Sequence, residues 1–385
     1  MKKKNMIWFV FVLSLLTACQ RTENHDKNAS TNSHNTVDIN DISIDDSKKI
    51  KAQLSSGVIV NAELKVPEAA ELEVMPVYSA SLQELSFEKF SNSFAKNRSV
   101  IEKIEQSSED NVGNGSYKYY QLEDGSTLTY NGGIFLHYSS AQYRNIQVDF
   151  EVEDDEEDRF NKDFDFETCE SADKKIRETF RDLGLEVAEE CKSCSIDYKW
   201  LQEKNQMSEY SDIDEKMQIE TEEIVWSNEL DCYLFRYFGS ANGIPITNQL
   251  REEKGILIPA PGIYVVYSRN GIEQIEISNC FQIENEEYRT AAYGVNEILN
   301  VLDEKYNSII LEGNYSVDKL QLEYVPIETA QANKYQLIPA WRIYVSHEIN
   351  IQNKDDPGKS EVITLPTQIL FNAIDGTELQ TGVGM

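Results

Sequence analysis

Histidine is nearly missing from this chain: there are four in 385 residues, and His25 and His34 fall in a polar N-terminal stretch. That leaves His137 and His347, neither with a second histidine at ligand spacing. The sequence therefore carries no histidine metal motif and no supported Cys/His hydrolase pair. It also lacks a Gly-x-Ser-x-Gly elbow, a Walker loop and a Gly-x-Gly-x-x-Gly turn, which removes the sequence marks of the nucleophile-elbow hydrolases and of two nucleotide-binding classes. No cofactor is expected. Basic residues are short as well, 36 Lys and Arg against 67 Asp and Glu, for a net charge of −31. Such a chain offers no basic face to phosphate backbones, so no nucleic-acid partner is expected. Long apolar runs are absent too. Met6 to Leu16 covers 11 residues, whereas a helix needs about 20 to cross the hydrocarbon core.

What is present begins at the N-terminus. Lys2, Lys3 and Lys4 precede that apolar run, the pattern of a signal peptide. The run ends in Leu16-Thr17-Ala18-Cys19, which resembles the bacterial lipobox. The resemblance implies removal of residues 1–18, a lipid on Cys19 and a place on the extracytoplasmic face of the cell membrane. The alternative is an ordinary signal peptide with a chance cysteine. Cleavage would remove three lysines and leave 33 basic against 67 acidic residues, a net charge of −34. The acid is spread along the chain, densest at Glu151 to Asp158, and reads as a solvated surface that also admits a basic partner. Residues 19–50, rich in Asn, Ser, Thr and Asp, read as a flexible tether.

Beyond Cys19 the cysteines are Cys169, Cys191, Cys194, Cys232 and Cys280, an odd number. Cys191 and Cys194 have the spacing of a redox pair, and Lys192 is placed to favour a thiolate. A structural disulfide between them and unpaired thiols are the other readings. Zinc would want a second close pair. Asp163, Asp165 and Glu167 alternate like a calcium loop, but Thr168 stands where the sharp turn wants glycine.

Three stretches carry the helical period: Phe87, Phe90 and Phe94; Ala172, Ile176, Phe180 and Leu183; and Val295, Ile298, Leu299, Leu302 and Tyr306. Ser171 suits an N-cap and Gly184 a C-terminus. Each stretch precedes strand-like sequence punctuated by Asp124-Gly125, Gly132-Gly133, Asn242-Gly243 and Asn270-Gly271, the last two read as type I′ turns. Leu320, Leu322 and Tyr324 alternate, as do Leu337, Trp341, Ile343 and Val345. Pro339 should lie on a sheet edge or at a bulge. The expected fold class is α+β: tandem modules over 51–160, 161–285 and 286–385, each with one helix packed on a small antiparallel sheet.

Asn242 to Ile246, together with Pro339, Ala340, Trp341, Asn372, Ala373, Asp375 and Gly376, resembles the PepSY-like modules of exported Gram-positive proteins. Similar motifs mark the YycH/YycI-type regulatory domains and clostridial lipoproteins built like them. The resemblance covers roughly Asp165 to Leu379. It implies an α+β fold and, for some members, regulation of a membrane kinase or protease, and it supplies no catalytic residues. Trp341 is expected to plug the last module's core and Asp375-Gly376 to form a closing turn. The functional expectation is a non-enzymatic binding or regulatory module that meets another envelope protein or a peptide. The alternative is an envelope hydrolase or thiol-redox enzyme.

Overall fold

The structure is a computed structural model that describes residues 43–44, 48–107, 115–146, 148, 162–208, 224–249, 251–253, 256–331, 333–352 and 360–380. Cys19, the lipobox and the acidic run Glu151 to Asp158 lie outside the described residues. Strand takes 51% of the described residues and helix 18%. The small tandem modules expected from sequence are not what forms. Two nine-stranded sheets carry the described chain.

Sheet A draws on both ends of the described chain. It holds β1 (Ser43–Ile44), β2 (Lys49–Gln53), β3 (Ile59–Lys65) and β4 (Met75–Leu82). Sheet B follows with β5 (Val100–Ser107), β6 (Ser116–Leu122), β7 (Thr127–Asn131) and β8 (Phe135–Ser139). It continues with β9 (Val187–Ile196), β10 (Cys232–Ala241) and β11 (Ile244–Pro245). A separate hairpin, β12 (Arg251–Glu253) with β13 (Ile256–Ile258), precedes the last two strands of sheet B, β14 (Gly262–Ser268) and β15 (Gly271–Ser278). The chain then returns to sheet A through β16 (Phe281–Thr290), β17 (Asn314–Glu328), β18 (Lys334–Gln352), β19 (Ser360–Asn372) and β20 (Glu378–Leu379). Sheet B is thus an insertion between β4 and β16, and the sheets are assembled across the expected boundaries at 160 and 285. The expected tether also ends earlier, because β1 and β2 pair within sheet A and Ile50 is fully buried.

The helices are where their apolar periods put them. In α1 (Phe87–Phe94) and α2 (Cys169–Leu183) the buried faces are Phe87, Phe90 and Phe94, and Ala172, Ile176 and Phe180. Both faces join one core with Tyr233, Phe235 and Tyr237 of β10. Thr168, three residues before Ser171, caps α2 by accepting from the Ser171 amide at 3.2 Å. Gly184 closes that helix at φ 78°, the left-handed C-cap in which glycine carries no Cβ penalty. On the opposite face of sheet B, α3 (Tyr198–Ser208) sets Leu201 against Cys232, Leu234 and Val266.

Over sheet A lies α4 (Val295–Asn307), whose Ile298, Leu299, Leu302 and Tyr306 pack on Leu320, Leu322, Tyr324, Leu337, Trp341, Ile343 and Val345. Trp341 is fully buried, and its indole N–H donates to the Tyr293 carbonyl at 2.8 Å. Pro339 occupies neither an outer edge nor a bulge. It stands at a seam: β18 pairs with β4 as far as Leu337 and with β19 from Ala340 onward. Gly376, at φ 74°, turns the chain from β19 into β20, with the Gly376 amide donating to the Asn372 carbonyl at 2.9 Å.

Asp303 ties α4 to the loop between β2 and β3. It accepts from the Ser55 hydroxyl at 2.6 Å and the Ser56 amide at 2.8 Å, and it is 2% exposed. Burial opposes its charge, but the donors outweigh that and hold the carboxyl below its ordinary range. A depressed carboxylate pKa gives stability that is complete above the unfolded value, about 3.9, and lost as pH falls through the folded value. Asp303→Ala is expected to cost about 1–3 kcal/mol at neutral pH by leaving those donors unpaired. Urea titrations at several pH values should show the gap between variant and wild type closing below about pH 4.

Candidate binding cleft

The segment that follows β10 joins the two sheets. Asn242 and Gly243 both take positive φ, 52° and 80°, as a type I′ turn requires, so this hairpin is as read from sequence. At Asn270-Gly271 only the glycine is positive, so that turn is not type I′. On either side of the first turn, Ala241 of β10 and Ile244 of β11, followed by Ile246, are buried in the core of sheet A. Ile246 bridges Tyr324 in parallel, and the Thr247 amide donates to the Tyr324 carbonyl at 2.8 Å.

This plug also completes a buried polar cluster on sheet A. Arg342 and Glu323 are 2% and 4% exposed and form an ion pair. The Arg342 guanidinium donates as well to the Thr247 hydroxyl at 2.6 Å, the Gln368 side-chain oxygen at 3.1 Å and the Gln249 side-chain oxygen. Sequence reading missed this cluster. Arg342 alternates with Trp341 and Ile343, so on pattern alone it belongs on a solvated face.

Where the plug leaves sheet B, a cavity of about 520 Å³ opens between the sheets. β3, the turn after it, β9, the Asn242-Gly243 hairpin and β17 contribute its walls. Leu64, Val66, Pro67, Ala188, Pro245 and Leu322 make it apolar, and Gln321 supplies an amide. Glu63, Glu68, Glu189 and Glu190 outnumber Lys48 and Lys65 among its charged residues. Gly243 is required at its rim, since a Cβ there would lie 3.3 Å from the Ala69 Cβ on a backbone already at positive φ.

Lys65 spans the cleft, 3.1 Å from Glu63 on its own strand and 3.1 Å from Glu190 on β9. Burial works to lower its pKa, but the two carboxylates prevail and raise it, so the ammonium is held charged. Nearby, burial depresses the Lys319 ammonium, whose head sits 5.0 Å from the Tyr344 ring centre. Among the described residues β9 pairs with β10 alone, so its outer edge faces the cleft. Arg177 of α2 occupies part of that edge, donating to the carbonyls of Ala188 at 2.8 Å and Glu189 at 2.6 Å.

A second cavity of about 660 Å³ lies between α1, α2 and the loops of sheet B. Its cations are already matched: Arg98 meets Asp124 at 2.6 Å, and Lys175 meets Glu167 at 2.7 Å. Glu167 also accepts from the Tyr267 hydroxyl at 2.7 Å, while Asp163 accepts from the Cys169 amide at 2.8 Å. These alternating acids brace the start of α2.

Cys191 and Cys194 are not brought together. Both lie on β9, and a spacing of three on a strand points the side chains to opposite faces. Cys191 packs beside the α2 core and Cys194 beside the α3 core, and all five described cysteines are free. Burial, then the neighbouring Asp173, pushes the Cys191 thiol up to about 12, and burial does the same to Cys194. Thiols so placed are poor nucleophiles. His137 lies on β8 in sheet B, whereas His347, on β18 in sheet A, stacks on Tyr315.

No protein-family model matches the chain, and no curated protein sequence matches it. Among solved structures it is similar to the crystal structure of an uncharacterized protein from Eubacterium rectale, with a TM-score of 0.64 and 15% identity. The match covers 86% of this chain and 93% of that one.

Proposed function

We propose that this chain is a lipoprotein held on the extracytoplasmic face of the cell membrane through Cys19. There it acts as a non-enzymatic binding module that takes an extended peptide segment of another envelope protein into the cleft between its sheets. The observation that carries the reading is the composition of that cleft, with apolar walls and four carboxylates against two lysines. A lysine or arginine of a bound segment would lay its aliphatic stem along Val66 and Pro67 and bring its charge to Glu68 or Glu189. The address rests on Leu16 to Cys19 and the lysines before it. The rival thiol-redox enzyme had its local support in Cys191 and Cys194, which face away from each other.

The test is photo-crosslinking in intact cells from a reactive residue placed at Gln321, in otherwise wild-type, Glu190→Lys and Cys19→Ala backgrounds. Capture of a defined protein partner is expected, reduced several-fold by Glu190→Lys, which reverses the charge at one end of the Lys65 bridge. The Cys19→Ala chain should lose lipid labelling and leave the membrane. Unchanged membrane retention would reject the address, and recovery of no protein or peptide from Gln321 would reject the cleft as a binding site.

A further inference from the structure

The outermost strand of sheet B, β5, is left open in an unusual way. All eight residues of β5 are exposed, including Val100, Ile101 and Ile104. Among the described residues β5 pairs with β6 and with nothing on its other side. An exposed apolar edge with unused backbone donors and acceptors is a template for another strand.

We propose that β5 pairs antiparallel with β5 of a second copy of this chain about a two-fold axis at Ile104, joining the two B sheets into one. Register fixes the position of the axis. A two-fold axis normal to a sheet keeps each residue on its own face, so a residue can oppose only residues of the same parity. An axis at Glu102, Lys103 or Glu105 would set a charge against its own copy, and like charges directly opposed are destabilising. The axis at Ile104 instead opposes Ile104 to itself and Lys103 to the partner's Glu105, twice over, with Glu102 opposite the partner's Gln106. Lys103 and Glu105 already pair within the strand at 3.2 Å, with side chains 53% and 42% exposed. Dimerisation would close them into a ring of four alternating charges. On the other face Ile104 sits opposite Tyr119 of β6, so the row Tyr119, Ile104 and their copies becomes a continuous apolar strip. The irregular pairing between Val100 and Glu102 confines the regular contact to Glu102 through Gln106. At physiological ionic strength the Debye length is about 8 Å, so negative charges farther than this from the seam are largely screened from one copy to the other.

The experiment is cysteine crosslinking of the full-length chain in cells, read on a non-reducing gel after a mild oxidant. Ile104→Cys places two thiols at the axis, where opposed Cα atoms stand about 4.5–5.5 Å apart, within disulfide reach. Gln106→Cys places them about 14 Å apart, out of reach. A dimer band from Ile104→Cys, with none from Gln106→Cys or wild type, is expected. Adding Lys103→Glu to Ile104→Cys should weaken that band several-fold, and adding Lys103→Glu with Glu105→Lys should restore it. No band from Ile104→Cys, equal bands from both cysteine variants, or a band insensitive to Lys103→Glu would overturn the proposal. The cleft reading is untouched by any of these outcomes, since none of its residues lies on β5.

Discussion

Glu323→Ala is expected to destabilise the protein by about 3–5 kcal/mol, the usual penalty for stranding one member of a buried ion pair. Arg342 would keep its neutral acceptors Thr247, Gln249 and Gln368 but lose the one carboxylate that pairs with it among the described residues. Taking a guanidinium out of water is tolerable only when its charge is matched. Replacing both partners, as Arg342→Met with Glu323→Leu, removes the charge and its match together and should recover most of the loss. The comparison separates a cost of broken pairing from a cost of altered packing. Urea unfolding followed by tryptophan fluorescence measures both. A single-variant loss under about 1 kcal/mol would mean that water reaches Arg342.

Trp341→Ala should cost a similar amount, about 3–5 kcal/mol, for a different reason. Its ring is fully buried beneath α4, and its indole N–H is spent on the Tyr293 carbonyl just before that helix begins. Alanine would open a large void beneath α4 and orphan one carbonyl. Trp341→Phe fills most of the void and lacks the donor, so it should fall clearly between wild type and alanine. Equal loss from both variants would show that the hydrogen bond, and not the ring volume, anchors the helix. Scanning calorimetry of the three proteins decides between them.

What could be read in advance follows the range of the interaction that decides it. The α1 stripe of Phe87, Phe90 and Phe94 and the Asn242-Gly243 turn are written within a few residues, and both formed. The burial of Trp341 followed from strand alternation alone. For Cys191 and Cys194 the spacing left a redox pair, a disulfide and unpaired thiols all open, and the described thiols are free because on a strand parity decides which face a side chain takes. Arg342 was invisible for a related reason: its partners Thr247 and Gln249 arrive on a plug from the other sheet. The tandem-module expectation failed at that same range. Each helix does cover a sheet, yet Ile59 finds its neighbour at Ser316, and no local pattern records such a pairing.

That pairing has a kinetic side. Closing a loop costs chain entropy that grows roughly as (3/2)RT ln n, and β3 must wait for β17, which lies almost at the far end of the chain. Sheet B changes this cost. Once it has condensed, Gln83 and Cys280 are hydrogen-bonded at 2.7 Å, and Leu82 already faces Phe281. The whole inserted sheet then serves as one oversized turn, converting a contact between distant parts of the chain into a local one. Closure of sheet A is thereby made easier by residues that lie outside its own strands. Were sheet B to close late, β3 and β4 would wait for their final neighbours, and such an interval would leave a newly made chain open to aggregation.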